Sequence, residues 1–196
     1  MTLPEELLRR FDPTVLEQDR ACIAVLGPDR VIVWVNPAWK TFATDNGGGT
    51  GLEVGARYFD AVQGTLRTWF EERMLECQRT GEPFELEYEC SSPETFRTYH
   101  LRALPIGGFL LMAHSLRTEQ PHSRTPMPPF EVVYRAANGL TLQCSNCRRF
   151  KRVDTGAWDW VPDWVRTQPD RTSHGICGVC AGFYYGDLLL ADAKNA

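Results

Sequence analysis

Four of the seven cysteines in this 196-residue chain form two C-x-x-C pairs, Cys144-Ser-Asn-Cys147 and Cys177-Gly-Val-Cys180, with 29 residues between them. A C-x-x-C holds two sulfurs on one tight turn, where both reach a single tetrahedral ion. Two such turns complete a four-thiolate set with metal–sulfur distances near ~2.3 Å. The usual ribbon separation is ~15–20 residues, so the longer interval leaves room for an extra element. Trp158, Trp160, Val161, Trp164 and Val165 supply an apolar cluster placed to cover the site. Thiolate donors select zinc or iron, and with no oxygen ligand in the pattern the site reads as closed and structural, with Zn2+ the expected ion. His174 is redundant as a ligand beside four sulfurs and is expected to hydrogen-bond a sulfur or the backbone.

Arg148, Arg149, Lys151 and Arg152 crowd the first pair. Their expected role is to neutralise thiolate charge; the alternative is a patch for phosphate or acidic groups. Cys22, Cys77 and Cys90 are scattered, and an odd total without an export signal argues against a disulfide framework. A thiol switch needs an exposed thiol of low pKa. Cys22 lies in an apolar strand and Cys77 on an apolar helical stripe, which leaves Cys90, beside a turn, as the best placed.

Charge divides the chain unevenly. Residues 1–120 carry 12 Lys+Arg against 18 Asp+Glu, and residues 121–196 carry 9 against 7. The acidic first part disfavours phosphate-backbone binding, and the mildly basic second part makes no case for it by charge alone. With 43% hydrophobic and 23% charged residues the composition is that of a folded globular chain. No stretch reaches the apolar length of a bilayer span, and the charged N-terminus lacks a signal-peptide core; the expectation is a soluble, cytoplasmic protein without a membrane partner.

The elements that must position these residues follow from periodicity. Leu3, Leu7, Leu8 and Phe11 recur at helical spacing, a stripe that packs either on its own domain or on a second copy. Residues 21–26 and 31–35 are strands joined by Gly27-Pro28-Asp29-Arg30, a hairpin pattern. Trp39, Phe42 and Ala43 share a helical face that ends in the loop of Gly47 to Gly49. A longer helix spans 66–79. Residues 84–90 alternate strictly, with Phe84, Leu86 and Tyr88 facing in and Glu85, Glu87 and Glu89 facing water. Residues 95–104 alternate likewise, and 109–114 read as a buried strand. The segment 119–130 holds four prolines and no period, so it reads as a semi-extended linker.

The order of two strands, a helical middle and three strands resembles a PAS domain. The resemblance extends over residues 14–118 and is carried by WVNPAWKTFATDNG and by FELEYECSSPETFRTYHLRALPI followed by FLLMAHSLRTE. It implies an α+β fold, a five-stranded antiparallel sheet with helices on one face enclosing a cavity, in a sensory or protein-contact domain. Cavity candidates are Trp34, Trp39, Phe42, Tyr58, Phe59 and Tyr99, with His100 and His114 near strand ends. A flavin-binding member would need its reactive cysteine in an Asn-Cys-Arg-Phe-type motif on a mid-domain helix. The similar letters Asn146 to Phe150 fall instead in the cysteine knuckle. A haem-binding member would carry its axial histidine on the long helix, and Gln63 to Thr80 has none. The segment CSNCRRFKR…SHGICGVCAGFYYGD resembles a module appended to bacterial sensor and response-regulator proteins, which places the chain in signalling.

The expected organisation is a flanking helix at 1–13, a PAS-like domain at 14–118, a linker at 119–130, a four-cysteine, zinc-ribbon-like module at 131–190 and a tail at 191–196. No nucleotide-binding loop, hydrolase elbow or metalloprotease motif occurs, so the expectation is a non-catalytic signal-transduction protein, a homodimer with a signalling partner and an unknown PAS ligand. The alternatives are a nucleic-acid-associated regulator using Arg148–Arg152, or a redox or metal sensor with a labile four-cysteine site.

Overall fold

The computed structural model describes residues 2–46, 51–62 and 64–186. The expected glycine loop at 47–49 and the tail at 191–196 lie outside these residues. The chain packs as two units, one of Met1–Val62, Phe70–Glu87 and Tyr99–Arg117, the other of Gln63–Trp69, Tyr88–Thr98 and Thr118–Ala196. Among the described residues no helix is long and apolar enough to cross a membrane.

Two short helices, α1 (Glu5–Leu8) and α2 (Pro13–Gln18), precede strands β1 (Cys22–Leu26) and β2 (Ile32–Val35). Helix α3 (Pro37–Asp45), a 3-10 turn at Tyr58–Ala61 and helix α4 (Thr65–Thr80) follow. Strands β3 (Phe84–Glu89), β4 (Thr95–Ile106) and β5 (Phe109–Pro121) complete a five-stranded sheet of order β2-β1-β5-β4-β3. β1 is antiparallel to β2 and β5, and the short turns joining β3 to β4 and β4 to β5 make those pairs hairpins. This is the PAS-like arrangement: sheet edges formed by consecutive hairpins, centre closed by β1 against β5.

Alternation along the strands sorts side chains onto two faces. Ile23, Val25, Trp34, Leu111 and Ile106 cluster with Leu3, Leu7 and Leu16 from the N-terminal helices. Leu3 and Leu7 of the apolar stripe are therefore buried within their own chain, with Phe11 packed beside them and Leu8 exposed. Asn36 fixes the turn from β2 into α3. Its Oδ1 accepts from the Trp39 amide at 2.9 Å as a helix cap and from the Ile23 amide at 3.0 Å, while Nδ2 donates to carbonyls of Leu16, Asp19 and Ala21. It is fully buried with both ends of the amide in use.

The second unit holds helix α5 (Glu131–Tyr134), strands β6 (Thr141–Cys144), β7 (Phe150–Lys151) and β8 (Trp158–Asp159), helix α6 (Pro162–Arg166), strand β9 (Thr172–Gly175) and helix α7 (Gly178–Tyr184). Its four strands order as β8-β7-β6-β9, with β9 parallel to β6. A parallel pair needs a crossover, and α6 with its flanks provides it; this is what the long interval between the cysteine pairs encodes.

The proline-rich stretch is not a free strut. β5 runs on to Pro121, the His122 ring lies 4.3 Å from the Trp160 ring, Pro126 bridges Trp160, and the Met127 amide donates to the Trp160 carbonyl at 2.8 Å. Proline removes donors, but carbonyls and the residues between the prolines still pair.

Candidate metal centre

The β6–β7 hairpin carries the first cysteine pair. The Cys144 amide donates to the Arg149 carbonyl at 2.8 Å and the Arg148 amide to the Cys144 carbonyl at 3.0 Å. Arg148 takes the left-handed conformation that closes the turn, φ 61°. The second pair is built differently: Cys177 is the N-cap of α7 and Cys180 lies in its first turn. Parallel pairing sets Cys144 opposite Gly175, and the Ser145 amide donates to the Gly175 carbonyl at 2.8 Å. The two pairs thereby converge.

All four sulfurs lie within 4.8 Å of one another, and all four residues are buried. An ion ~2.3 Å from each of four tetrahedral sulfurs would hold them ~3.8 Å apart. Cys147 and Cys177 are separated by 3.8 Å, far beyond a ~2 Å disulfide. Three N–H groups point at sulfur: Cys177 N to Cys144 at 3.4 Å, Cys180 N to Cys177 at 3.4 Å, and Asn146 Nδ2 to Cys180 at 3.3 Å. Hydrogen bonds shared among the sulfurs, first from Cys147, pull Cys144 down to about 7, and those led by Cys144 pull Cys177 down and push Cys147 and Cys180 up. Four such groups cannot all ionise side by side without a cation. The donor set fits a thiophilic divalent ion held by Cys144, Cys147, Cys177 and Cys180, with no coordination position left for substrate.

The surroundings differ from expectation in several places. Trp158, Ile176 and Tyr184 pack on the sulfurs. Trp160, Val161, Trp164 and Val165 form a separate core with Tyr134 and Phe150. His174 bonds no sulfur; its Nε2 lies 3.0 Å from Gln168 Nε2 and 3.2 Å from Gln143 Oε1, because strand pairing sets it opposite Gln143. The basic cluster is dispersed as well. Arg148 donates to carbonyls of Ser91 and Val165 at 3.3 Å each. Arg152 is paired with Asp154 at 2.6 Å and Asp159 at 3.3 Å. Arg149 is half-buried and Lys151 alone of the four is exposed.

A charged network that local pattern does not reveal adjoins the sulfurs. Glu89, expected to face water, is 5% exposed. One carboxylate oxygen accepts from Arg124 at 2.6 Å and the other from the Ser91 hydroxyl at 2.6 Å. Arg124 also donates to the Cys147 carbonyl at 3.2 Å and lies between the rings of Phe96 and Trp160, 5.5 and 5.1 Å from their centroids. Burial works against its charge, yet the bond to Glu89 and the nearby Cys147 and Cys180 sulfurs keep its pKa raised.

In the PAS-like unit the aromatic candidates fall into two sets: Phe42 meets Tyr99 edge-on at 5.6 Å, and Tyr58 meets Phe59 at 5.2 Å and Trp39 at 6.3 Å. His114 belongs to the second set, 5.7 Å from Trp39 and with Nε2 3.3 Å from the Tyr58 hydroxyl. Burial holds His114 down at about 4 and pushes the Tyr58 phenol up, so both are neutral near pH 7. Trp34 and His100 do not join them. Trp34 packs under the N-terminal helices, and His100 alternates away from Tyr99 to lie 3.4 Å from Glu85. Burial pushes the Cys77 and Cys90 thiols up, the reverse of a reactive thiol.

No family model and no curated protein matches the chain. Among solved structures, a domain of an HTR-like protein from Haloarcula marismortui is similar at 17% identity over 51% of this chain and 100% of that one, with a TM-score of 0.39. A PAS domain of an HTR-like protein from the same organism gives 16% identity, 58% and 100% coverage and a TM-score of 0.33. A fungal LOV-domain photoreceptor gives 16% identity, 57% and 87% coverage and a TM-score of 0.36. The PAS-like assignment rests on the strand order.

Proposed function

We propose that the chain is a non-catalytic signalling protein in which a PAS-type sensor or interaction unit is paired with a structural zinc module that presents a partner-binding surface. The observation that carries this reading is the set of four buried sulfurs within 4.8 Å of one another, enough donors to fill the four positions of a tetrahedral ion and leave none for a reacting group. Four thiolates and a divalent ion leave a charge of −2, and three N–H donors with the nearby Arg124 offset it. The ion is zinc in this reading, because zinc is redox-inert and satisfied by four thiolates. The dispersed state of Arg148, Arg149 and Arg152 counts against the nucleic-acid alternative. On the PAS side, the aromatic group around Trp39, Tyr58 and His114 is the region where a ligand would act, and homodimerisation and a signalling partner remain part of the proposal.

Elemental analysis together with an absorption spectrum of the purified chain tests the metal: one zinc per chain and no visible band are expected. Chelation is then expected to abolish the cooperative melting of the second unit. Native circular dichroism and an unchanged melting temperature after verified metal removal would refute a structural role.

A further inference from the structure

Asn146 lies between the two cysteines of the first pair, yet its side chain serves neither of them. It is 2% exposed, and both ends of the amide are committed. Nδ2 donates to Cys180 Sγ at 3.3 Å, and Oδ1 accepts from the Tyr185 hydroxyl at 3.0 Å and from the Glu89 amide at 3.1 Å. Glu89 is 57 residues away in sequence. From it the chain of bonds continues through the carboxylate to Ser91 and Arg124, and from Arg124 back to the Cys147 carbonyl. The sulfurs and the Tyr88–Thr98 segment thus belong to one closed ring of hydrogen bonds within the second unit.

We propose that Asn146 is a positioning residue that couples occupancy of the four-sulfur centre to the β3–β4 turn, through Cys180 on one side and the Glu89 amide on the other. This inference rests on the reading of the four sulfurs as a metal centre. A metal-bound thiolate is a stronger acceptor than a neutral thiol, so the ion fixes which way the amide points. That orientation presents Oδ1 to Glu89 and Tyr185; a rotated amide would turn an N–H donor toward the Glu89 amide N–H, while the Tyr185 hydroxyl can donate or accept. By linkage, whatever the metal does to the turn, the turn does to metal affinity by the same factor.

The test uses the full chain loaded with zinc, with affinity read by competition against a chromophoric chelator and with cobalt substituted for a spectroscopic readout. Asn146→Ala is expected to weaken zinc binding about 10- to 100-fold, the range for loss of an outer hydrogen bond to a ligand. Its cobalt–thiolate band should move to longer wavelength, as a sulfur relieved of a hydrogen bond gives up charge more easily. Hydrogen exchange at the Glu89 amide is expected to rise more than at Cys90 and Ser92, which bond to carbonyls of Arg97 and Thr95. Glu89→Pro, which removes the amide that Asn146 Oδ1 accepts from and touches no sulfur, is expected to bind zinc at least about threefold more weakly than Glu89→Ala, which lacks the same carboxylate but keeps the amide. His174→Ala should stay within that factor.

Native zinc affinity and an unmoved cobalt band in Asn146→Ala would overturn the proposal. So would equal zinc affinity in Glu89→Pro and Glu89→Ala, a comparison that decides the matter even if Asn146→Ala does not fold. A chain that takes up zinc while both comparisons show no difference refutes the coupling alone. A chain that takes up neither zinc nor cobalt refutes the metal centre as well.

Discussion

Replacing Arg124 by alanine is expected to cost more stability than any other substitution in the stretch 119–130. The side chain of Glu89 is 3% exposed and that of Arg124 13%, at 2.6 Å. Removing the guanidinium strands a buried carboxylate with the Ser91 hydroxyl as its remaining side-chain partner. Breaking one half of a buried pair costs about 3–5 kcal/mol. The two aromatic faces at 5.1 and 5.5 Å add about 0.5–2 kcal/mol each, partly within the same total because the alanine also vacates the space between the rings. A loss of about 4 kcal/mol is comparable to the whole stability of a small folding unit. The assay is urea unfolding of the zinc-loaded chain at pH 7, followed by circular dichroism and by hydrogen exchange over residues 88–98. Arg124→Lys should fall between native and alanine, because a lysine keeps the charge but not the flat stacking fork. The neutral double variant Arg124→Met with Glu89→Gln should recover at least about half of the loss, since it leaves no unpaired charge. A cost below about 1 kcal/mol for Arg124→Ala, or a double variant no better than the single one, would place the pair in the weak class of surface bridges and refute the reasoning.

Two further outcomes follow from buried and engaged charges. His114 has a folded pKa near 4 against about 6.5 when unfolded, so the unfolded chain binds more protons between those values. Its contribution is complete above pH 6.5 and falls away as pH drops through 4, by about 3 kcal/mol. Compared with His114→Phe, the native chain should lose that much extra unfolding free energy between pH 7 and 4, and parallel pH profiles would refute a neutral buried imidazole. Arg148→Ala should lower stability by about 1–3 kcal/mol through the unpaired carbonyls of Ser91 and Val165, while Lys151→Ala leaves the melting temperature unchanged. Salt-dependent binding of DNA or RNA that disappears in Lys151→Ala at unaltered stability would restore the basic patch.

The cysteine pairs were legible because their information is local. Two sulfurs three residues apart define half a site wherever the chain goes, and the interval between pairs announced an extra element. The sheet was legible for a similar reason, since alternation and short turns fix hairpins before any long-range contact forms. Alternation also limits the candidate lining. Tyr99 and His100 are neighbours in one strand and cannot face the same side, so grouping them as one lining contradicted the pattern that identified the strand. Trp34 needed more: its face is set by its register against Val25, which periodicity does not supply. Glu89 shares the parity of Glu85 and Glu87, and only the arrival of Asn146 and Arg124, 57 and 35 residues later, takes it out of water.

The same distances explain why the change of composition at residue 119, beside the boundary between Arg117 and Thr118, does not by itself delimit the second unit, which also takes in Gln63–Trp69 and Tyr88–Thr98. A small folding unit buries too little apolar surface to be stable on its core alone and usually adds a metal or further chain. The second unit has the sulfur cluster and an aromatic core around Phe150, Trp160 and Trp164, and it also draws on earlier segments. Trp69 meets Tyr185 edge-on at 5.2 Å, Phe96 takes one face of Arg124, and Glu94 pairs with Arg166 at 2.7 Å. Gly64, at φ 65°, lies so close to the His174 backbone that a Cβ has no room. A chain cut at 118/119 would sever Glu89 from Arg124 and from Asn146. The C-terminal sequence therefore specifies the ligands of the centre, while the stability of the fold that holds them is written partly in residues 64–69 and 88–98. An account of signalling that treats the cysteine module as a detachable attachment would leave out the residues that keep its charge paired.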